Sequence, residues 1–383
     1  QELSYEMIEV QTREKAQEIF AQCKENGLAA YRLIQTRDKE AGSVGSGASG
    51  QMFLQFEEEK GIFACVLTYE DNKVFCLEET DALSKEEILN GLRNMMRDQH
   101  VLMACFDGKP DYADLITKED DAALSAEKLT EYLYDCKIAA YLLNPLKNDY
   151  EIVDVANEYL NITLADWNEL FGKADLTTVY REQRQECLDY FAREAAVLRQ
   201  ARPLLQKALE ESGMSRLFSE LEMPLSYVLY SMEKEGILVK PEELHLYGEA
   251  LNGRIAELET SIHEQAGGEF NINSPKQLGE VLFEKMQIPG GKKTKTGYST
   301  AADVLDKLAP QYPIIKDIQE YRGLTKLKST YADGLATYIG EDSRIHTNFN
   351  QTITATGRLS STEPNLQNIP TRTELGSQLR RMF

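Results

Sequence analysis

The run Lys292-Lys293-Thr294-Lys295-Thr296-Gly297 puts three ammonium groups and two hydroxyls beside a flexible glycine. Residues of these types in one short stretch suit the holding of phosphate. Upstream, Ser274, Pro275 and Gln277 have the order of a helix start: a hydroxyl cap, a proline in the first turn and a side chain that completes a capping box. A helix start offers free backbone N–H groups, which attract an anion. Lys276 lies in that first turn, where a cation opposes the helix dipole, a small cost that makes sense if an anion arrives. Downstream, Arg322, Lys326 and Ser329 are spaced by four and three, on one face of a helix, with Lys328 and Thr330 flanking it. The blander reading is a solvated helical face, and charge alone favours that. The coincidence of caps, hydroxyls and lysines between residues 271 and 331 points instead to a distributed clamp on a duplex nucleic acid.

A second kind of contact is offered by TATGRLSSTEPNLQNIP, Thr354 to Pro370. The segment is too polar and too interrupted by proline for a core strand or a long helix. Arg358, Asn365, Gln367 and Asn368 can donate to the acceptors that every base pair presents in the minor groove. That pattern is nearly degenerate, so such contacts test pair geometry more than sequence. The alternative is a turn-rich connector whose Asn and Gln side chains satisfy their own backbone.

The elements that must carry these groups are legible in outline. A helix over EKAQEIFAQCKENG, closing at Gly27, leads into the short apolar strand LAAYRLI. A Gly/Ser loop spans 41–50. QMFLQF, GIFACVLTY and KVFCLEE read as strands at hairpin spacing, SKEEILNGLRNMMRD as a helix, VLMACF as a further strand, and 125–211 as helical. The first 205 or so residues therefore predict an α/β domain with a mixed sheet. From Arg216 the chain reads as helices, with Pro224 marking a start or a kink. In the long helix after Pro241, Leu244, Tyr247, Leu251, Ile255, Leu258 and Ile262 form one stripe, and Gly267-Gly268 marks its exit. Thr300 with Asp303 reads as another cap, and RIHTNFNQTI alternates like a strand leading into the polar segment.

Bulk properties set the frame. The 383 residues predict two or three domains, and 42% hydrophobic content is enough for real cores. No apolar run reaches the ~18 residues of a membrane span, and no signal peptide is visible, so neither a membrane partner nor secretion is expected. Six cysteines, Cys23, Cys65, Cys76, Cys105, Cys136 and Cys187, stand singly among apolar neighbours, as buried thiols in a reducing cytoplasm would. The net charge of −21 is unevenly spread. Residues 271–383 hold 15 Lys and Arg against 11 Asp and Glu, a balance of +4, and the rest holds 27 against 52, a balance of −25. The chain opens on Gln1, not Met, and is expected to be a piece of something longer.

At these residues a family resemblance enters. TATGRLSSTEPNLQNIPTR closely resembles the start of the palm in family A DNA polymerases, the bacterial DNA polymerase I group. FNINSPKQLGEVLFEKMQIP, KKTKTGYST and YRGLTKLKSTY resemble the thumb, and LEMPLSYVLYSMEKEGILV the helix that enters it. YDCKIAAYLLNP resembles a helix of the family's 3′–5′ exonuclease domain. The resemblance covers essentially the whole chain and is most specific from about 216 to 383. It implies an α/β ribonuclease H-like, 3′–5′ exonuclease-like domain over 1–205, an α-helical thumb over 206–340, and the first strands of a palm over 341–383. It further implies phosphate contacts from Asn273, Ser274, Lys276, Lys292, Lys293, Thr294, Lys295, Thr296, Arg322, Lys326, Lys328 and Ser329. Arg358 would reach the minor groove at the primer terminus, with Asn365, Gln367, Asn368 and Arg372 along the duplex nearby.

The partners so implied are primer–template DNA and, for a longer parent enzyme, dNTPs and Mg²⁺ in two-metal phosphoryl transfer. The carboxylates for that reaction lie in DYSQIELR-like and VHDE-like strings, and neither occurs in this sequence. The expectation is a monomeric fragment, inactive alone, that binds duplex and holds no metal. The nuclease motifs are degraded: LIQT lacks the first pair of acids, Asp38 and Glu40 fall past the strand, Asp111 stands without the expected Asn, and Tyr190 is followed by Glu194 where the family has Asp. The domain is expected to be vestigial. Two alternatives stand beside this reading, an active 3′–5′ exonuclease and a non-catalytic DNA-binding module.

Overall fold

The computed structural model of the chain describes residues 3–36, 61–97, 101–116, 132–147, 149–295, 297–370 and 373–383. Two compact units emerge, one of Gln1–Lys234 with Phe349–Ser360, the other of Glu235–Asn348 with Ser361–Phe383. The loop at 41–50 and the QMFLQF strand expected from sequence lie outside the described residues.

The first unit is built on a six-stranded sheet: β1 (Glu6–Val10), β2 (Leu28–Gln35), β3 (Phe63–Thr68), β4 (Lys73–Glu78), β5 (Leu102–Cys105) and β6 (Leu133–Asp135). Its order is β1-β4-β3-β2-β5-β6. Only β3 runs against the rest: it pairs antiparallel with β2 and β4, while β1–β4, β2–β5 and β5–β6 are parallel. A strand at the N-terminus, β1, precedes the helix that the sequence predicts. It pairs with β4, 67 positions on at Glu6↔Lys73, a partner no local pattern could show. The strands read as continuous apolar runs because both faces of the sheet are covered. Alternation then sorts them. Ile34, Ala64, Val66, Val74 and Cys76 pack with Cys187, Leu188, Phe191, Ala192 and Ala195 of the helix Arg184–Glu211. Tyr31, Cys65, Leu67, Phe75 and Leu77 join the opposite core, with the helices Arg13–Asn26 and Lys85–Arg97. All six cysteines are buried free thiols, as expected.

The second unit is helical. Pro241–Ala266 follows its sequence reading closely: Pro241 sits in the first turn, and the helix stops at Gly267 with φ of 68°. Of the expected stripe, Leu244, Tyr247, Leu251, Leu258 and Ile262 are buried and Ile255 packs on the core edge. The helix Pro313–Lys326 lies against it, joined by Arg254 to Glu320 at 2.7 and 2.9 Å and by Ser261 to Asp317 at 2.8 Å.

Several local readings need correction. Gln277 does not close a capping box on Ser274; its side-chain oxygen accepts from the Asn271 N–H at 2.8 Å. Thr300 caps nothing, because the next helix starts from Ala301 and the Thr300 carbonyl accepts from Arg322 instead. The Lys/Thr loop is a small antiparallel hairpin, Lys293–Thr294 against Gly297–Tyr298. The alternation at 344–353 is broken into short strands at Arg344–Ile345 and Asn348–Asn350. Three helical stretches, Leu217–Glu222, Val281–Lys285 and Leu327–Asp333, are π-helical, and Pro224 stands just after the first of them.

Candidate nucleic-acid interface and a closed carboxylate site

In the second unit, Ser274 is the N-cap of Pro275–Glu280, and its hydroxyl accepts from the Gln277 N–H at 3.4 Å. Asn273 and Lys276 are exposed beside it. On the hairpin, Thr294 Oγ1 donates to the Gly297 carbonyl at 2.8 Å and so tightens the turn. Lys292, Lys293 and Lys295 are exposed, with the Lys293 ammonium 5.3 Å from the centre of the Tyr298 ring. Thr296 lies outside the described residues.

The predicted face at 322–329 divides on inspection. Lys326 and Ser329 are exposed. Arg322 is half-buried, and its guanidinium donates to the Thr300 carbonyl at 2.9 Å and to Thr300 Oγ1 at 3.3 Å. Burial holds its pKa below the ordinary arginine value. Lys328 is tied to Asp333 at 2.7 Å. The π-helical turn explains that pair, since its larger number of residues per turn brings residue i close to i+5. Among the described residues no ion pair engages Lys276, Lys292, Lys295 or Lys326.

The polar segment falls partly in each unit. In the second, Thr347 Oγ1 and Ser361 Oγ meet at 2.7 Å in a buried hydroxyl knot, and Thr347 Oγ1 also reaches the Pro364 carbonyl at 2.8 Å. Leu366 N–H donates to Ser361 at 3.1 Å, so the knot fixes the path of 361–366. Asn365, Gln367 and Asn368 are exposed beyond it. Asn365 accepts from the Gln367 N–H at 3.0 Å, as the connector reading expects of its oxygen, which leaves its NH₂ group to donate. Tyr331 donates to the Asn368 carbonyl at 2.5 Å. Arg372 lies outside the described residues. In the first unit, Arg358 is exposed at a turn that contains Gly357, whose φ is 74°.

The nuclease-like residues converge in the first unit, around an unexpected cation. Arg32 shares the face of β2 that carries Ile34, by strand alternation, and so faces the helix that bears Glu194. Its Nε donates to Glu194 at 2.8 Å and its Nη1 to the Phe106 carbonyl at 2.6 Å. Burial opposes the charge, but Glu194 and Asp111 more than offset it and raise the Arg32 pKa further. Burial pushes the Asp111 carboxyl up to about 7 against the pull of Arg32. Burial, and then the neighbouring Glu194, raise the Tyr190 phenol well above its usual value. Asp38 and Glu40 lie outside the described residues. No group of three or more metal-binding side chains exists among the described residues. A guanidinium bonded to Glu194 repels a divalent cation, so these side chains do not fit a two-metal nuclease site.

Residues 241–383 match the sequence profile of DNA polymerase family A. They belong to that family. The DNA polymerase I of Bacillus subtilis is 46% identical over 252 residues, 65% of this chain and 28% of that protein. The DNA polymerase I of Geobacillus stearothermophilus is 43% identical over 257 residues, 67% of this chain and 29% of that protein. Treponema pallidum DNA polymerase I is 35% identical over 299 residues, or 78% of this chain. The chain thus spans less than a third of these family A polymerases. The POL domain of Pol1 from M. smegmatis, solved with DNA primer-template and dNTP, superposes with a TM-score of 0.74 at 27% identity. It covers 99% of this chain and 58% of its own.

The sequence reading missed Arg32, which sits in a strand read simply as apolar. The signal available was a lone arginine in LAAYRLI, a charge that a doubly covered strand buries only with a partner.

Proposed function

We propose that this chain is the duplex-gripping part of a DNA polymerase I. Its second unit holds primer–template phosphates through Asn273, Ser274, Lys276, the hairpin lysines, Lys326 and Ser329. Asn365, Gln367, Asn368 and Arg358 read the minor groove. The division into nuclease-like domain (1–205), thumb (206–340) and start of palm (341–383) belongs to this reading. The observation that carries it is that exposed lysines with no ion pair among the described residues lie within the family A match. Such charges are what counterion release requires.

In a longer parent the reaction is nucleotide addition with Mg²⁺ and dNTPs. This sequence holds neither carboxylate string that the resemblance implies for it, so these 383 residues do not extend a primer on their own. In this reading the 1–205 domain is ribonuclease H-like, which its strand order supports, and vestigial as a nuclease, which the Arg32–Glu194 pair supports. The six buried free thiols suit a reducing cytoplasm, and the protein acts as a monomer.

The test is equilibrium binding of a labelled primer–template over a range of salt, followed by a primer-extension gel with Mg²⁺ and all four dNTPs. The expected result is duplex binding that weakens steeply with salt, and a primer that stays unextended. Salt-independent binding would overturn the grip, and a lengthened primer would overturn the inactivity.

A further inference from the structure

The stretch that carries Arg358, Phe349–Ser360, is part of the first unit, and side chains of that unit hold it along its length. Glu233 accepts from the Phe349 N–H at 2.6 Å. Lys109 pairs with Glu233 and donates to the Phe349 carbonyl at 2.5 Å. Gln351 donates to the Glu222 carbonyl at 2.7 Å. Closer to Arg358, the Tyr141 hydroxyl donates to the Thr354 carbonyl at 2.7 Å. That carbonyl also accepts from the Gly357 N–H at 3.4 Å, and Thr354 Oγ1 donates to the Arg358 carbonyl at 2.5 Å. Thr354 therefore ties both ends of the turn, and Tyr141 ties Thr354 to the body of the unit.

Tyr141 is well placed to do this. Its side chain is 2% exposed, on the helix Cys136–Leu143. The buried Asp135 caps that helix, accepting from Lys137 N–H at 2.9 Å, and also accepts from Gly108 N–H at 2.8 Å. The helix start is thereby fastened to the loop after β5. A buried tyrosine hydroxyl needs a partner. This one finds it 213 positions away, in the turn whose tip is Arg358.

We propose that Tyr141 is a positioning residue for Arg358. A domain with no reaction of its own would then aim the arginine that reads the terminal base pair of a primer–template duplex. The proposal rests on the minor-groove reading of Arg358 given above. A donor that tests pair geometry discriminates only while its own position is fixed. Loosening the turn should therefore lower discrimination between a matched and a mismatched terminal pair, and leave the phosphate contacts of the second unit untouched.

The experiment compares the affinity of the 383-residue chain for two primer–template duplexes that differ only in a matched or mismatched terminal pair. Loss of one hydrogen bond in Tyr141→Phe is expected to lower the matched-to-mismatched ratio about three- to tenfold. Arg358→Ala should lower it at least as far, and the double variant no further than Arg358→Ala alone. The slope of affinity against salt should stay at its wild-type value in Tyr141→Phe. A second variant, Thr354→Val, removes the bond to the Arg358 carbonyl but keeps the Tyr141 acceptor, and should shift the ratio in the same direction. If Arg358→Ala lowers the ratio while Tyr141→Phe and Thr354→Val keep it, the positioning role is overturned and the minor-groove reading survives. A double variant that falls by the product of the two single effects would overturn it equally. If Arg358→Ala leaves the ratio unchanged, or the wild type binds both duplexes alike, the minor-groove reading fails and the proposal with it.

Discussion

Two charged regions of this chain solve opposite problems. Around Arg32 in the first unit, charges answer one another: the guanidinium takes Glu194 and a main-chain carbonyl, and Asp111 is pushed toward its neutral form. On the second unit, Lys276, Lys292, Lys295 and Lys326 stand exposed, with no ion pair among the described residues. A charge with an internal partner is part of the fold. A charge without one remains available to a ligand. The first region should therefore respond to mutation in stability, the second in binding and its dependence on salt.

The largest effect should come from Arg32→Ala. It leaves the largely buried Glu194 carboxylate without its cation. Breaking a pair of this kind costs about 3 kcal/mol. Urea denaturation would measure it, and Arg32→Ala with Glu194→Ala should recover part of the loss. A cost near zero would mean that the guanidinium is as solvated as the surface lysines, and the comparison would collapse.

Asp111→Asn sharpens the same point through pH. The Asp111 carboxyl has an ordinary value of 3.8 and is raised to about 7 in the folded chain. Between those values the folded chain binds the extra proton. Its contribution to stability is complete below the lower value and is lost as pH rises through the higher one. Asparagine mimics the protonated form and removes that loss. The variant should gain on the wild type from pH 4 to pH 8 by about 2 kcal/mol, because water reaches part of this carboxylate and screens it. Melting curves across that range check it. A difference that stays flat with pH would place Asp111 in water.

The same contrast marks what the sequence could disclose. The helix Pro241–Ala266 was legible in full, because its stripe, its proline and its glycine act within a few residues of one another. Strands β2 to β5 were legible as apolar runs, whereas β1 went unread and β6 lies in the stretch 125–211 that reads as helical; the order of the sheet was hidden, since β1 pairs with β4 across intervening elements. The partner of Arg32 was hidden for the same reason, as it lies 162 positions away. Thr300 and Asp303 had the spacing of a cap, but Arg322 claimed the threonine from another helix. The π-helical turns leave no local signature of their own, and one of them decides which lysine near 326 is spoken for.

That lysine supplies the smallest predicted effect. The family resemblance names both Lys326 and Lys328 as phosphate ligands. In the folded chain Lys326 is exposed, while Lys328 reaches Asp333 at 2.7 Å across the π turn. A lysine that must leave a carboxylate to meet a phosphate exchanges one partner for another and releases fewer counterions on balance. Lys326→Ala should reduce the slope of log affinity against log salt by up to about one unit. Lys328→Ala should reduce it by clearly less, and Asp333→Asn should bring Lys328 up to the behaviour of Lys326. Titrations at several salt concentrations with these three variants decide the matter. Equal slopes for Lys326→Ala and Lys328→Ala would mean that the Asp333 pair opens at no cost when duplex arrives, and that internal pairing is no guide to which charges of this surface do the binding.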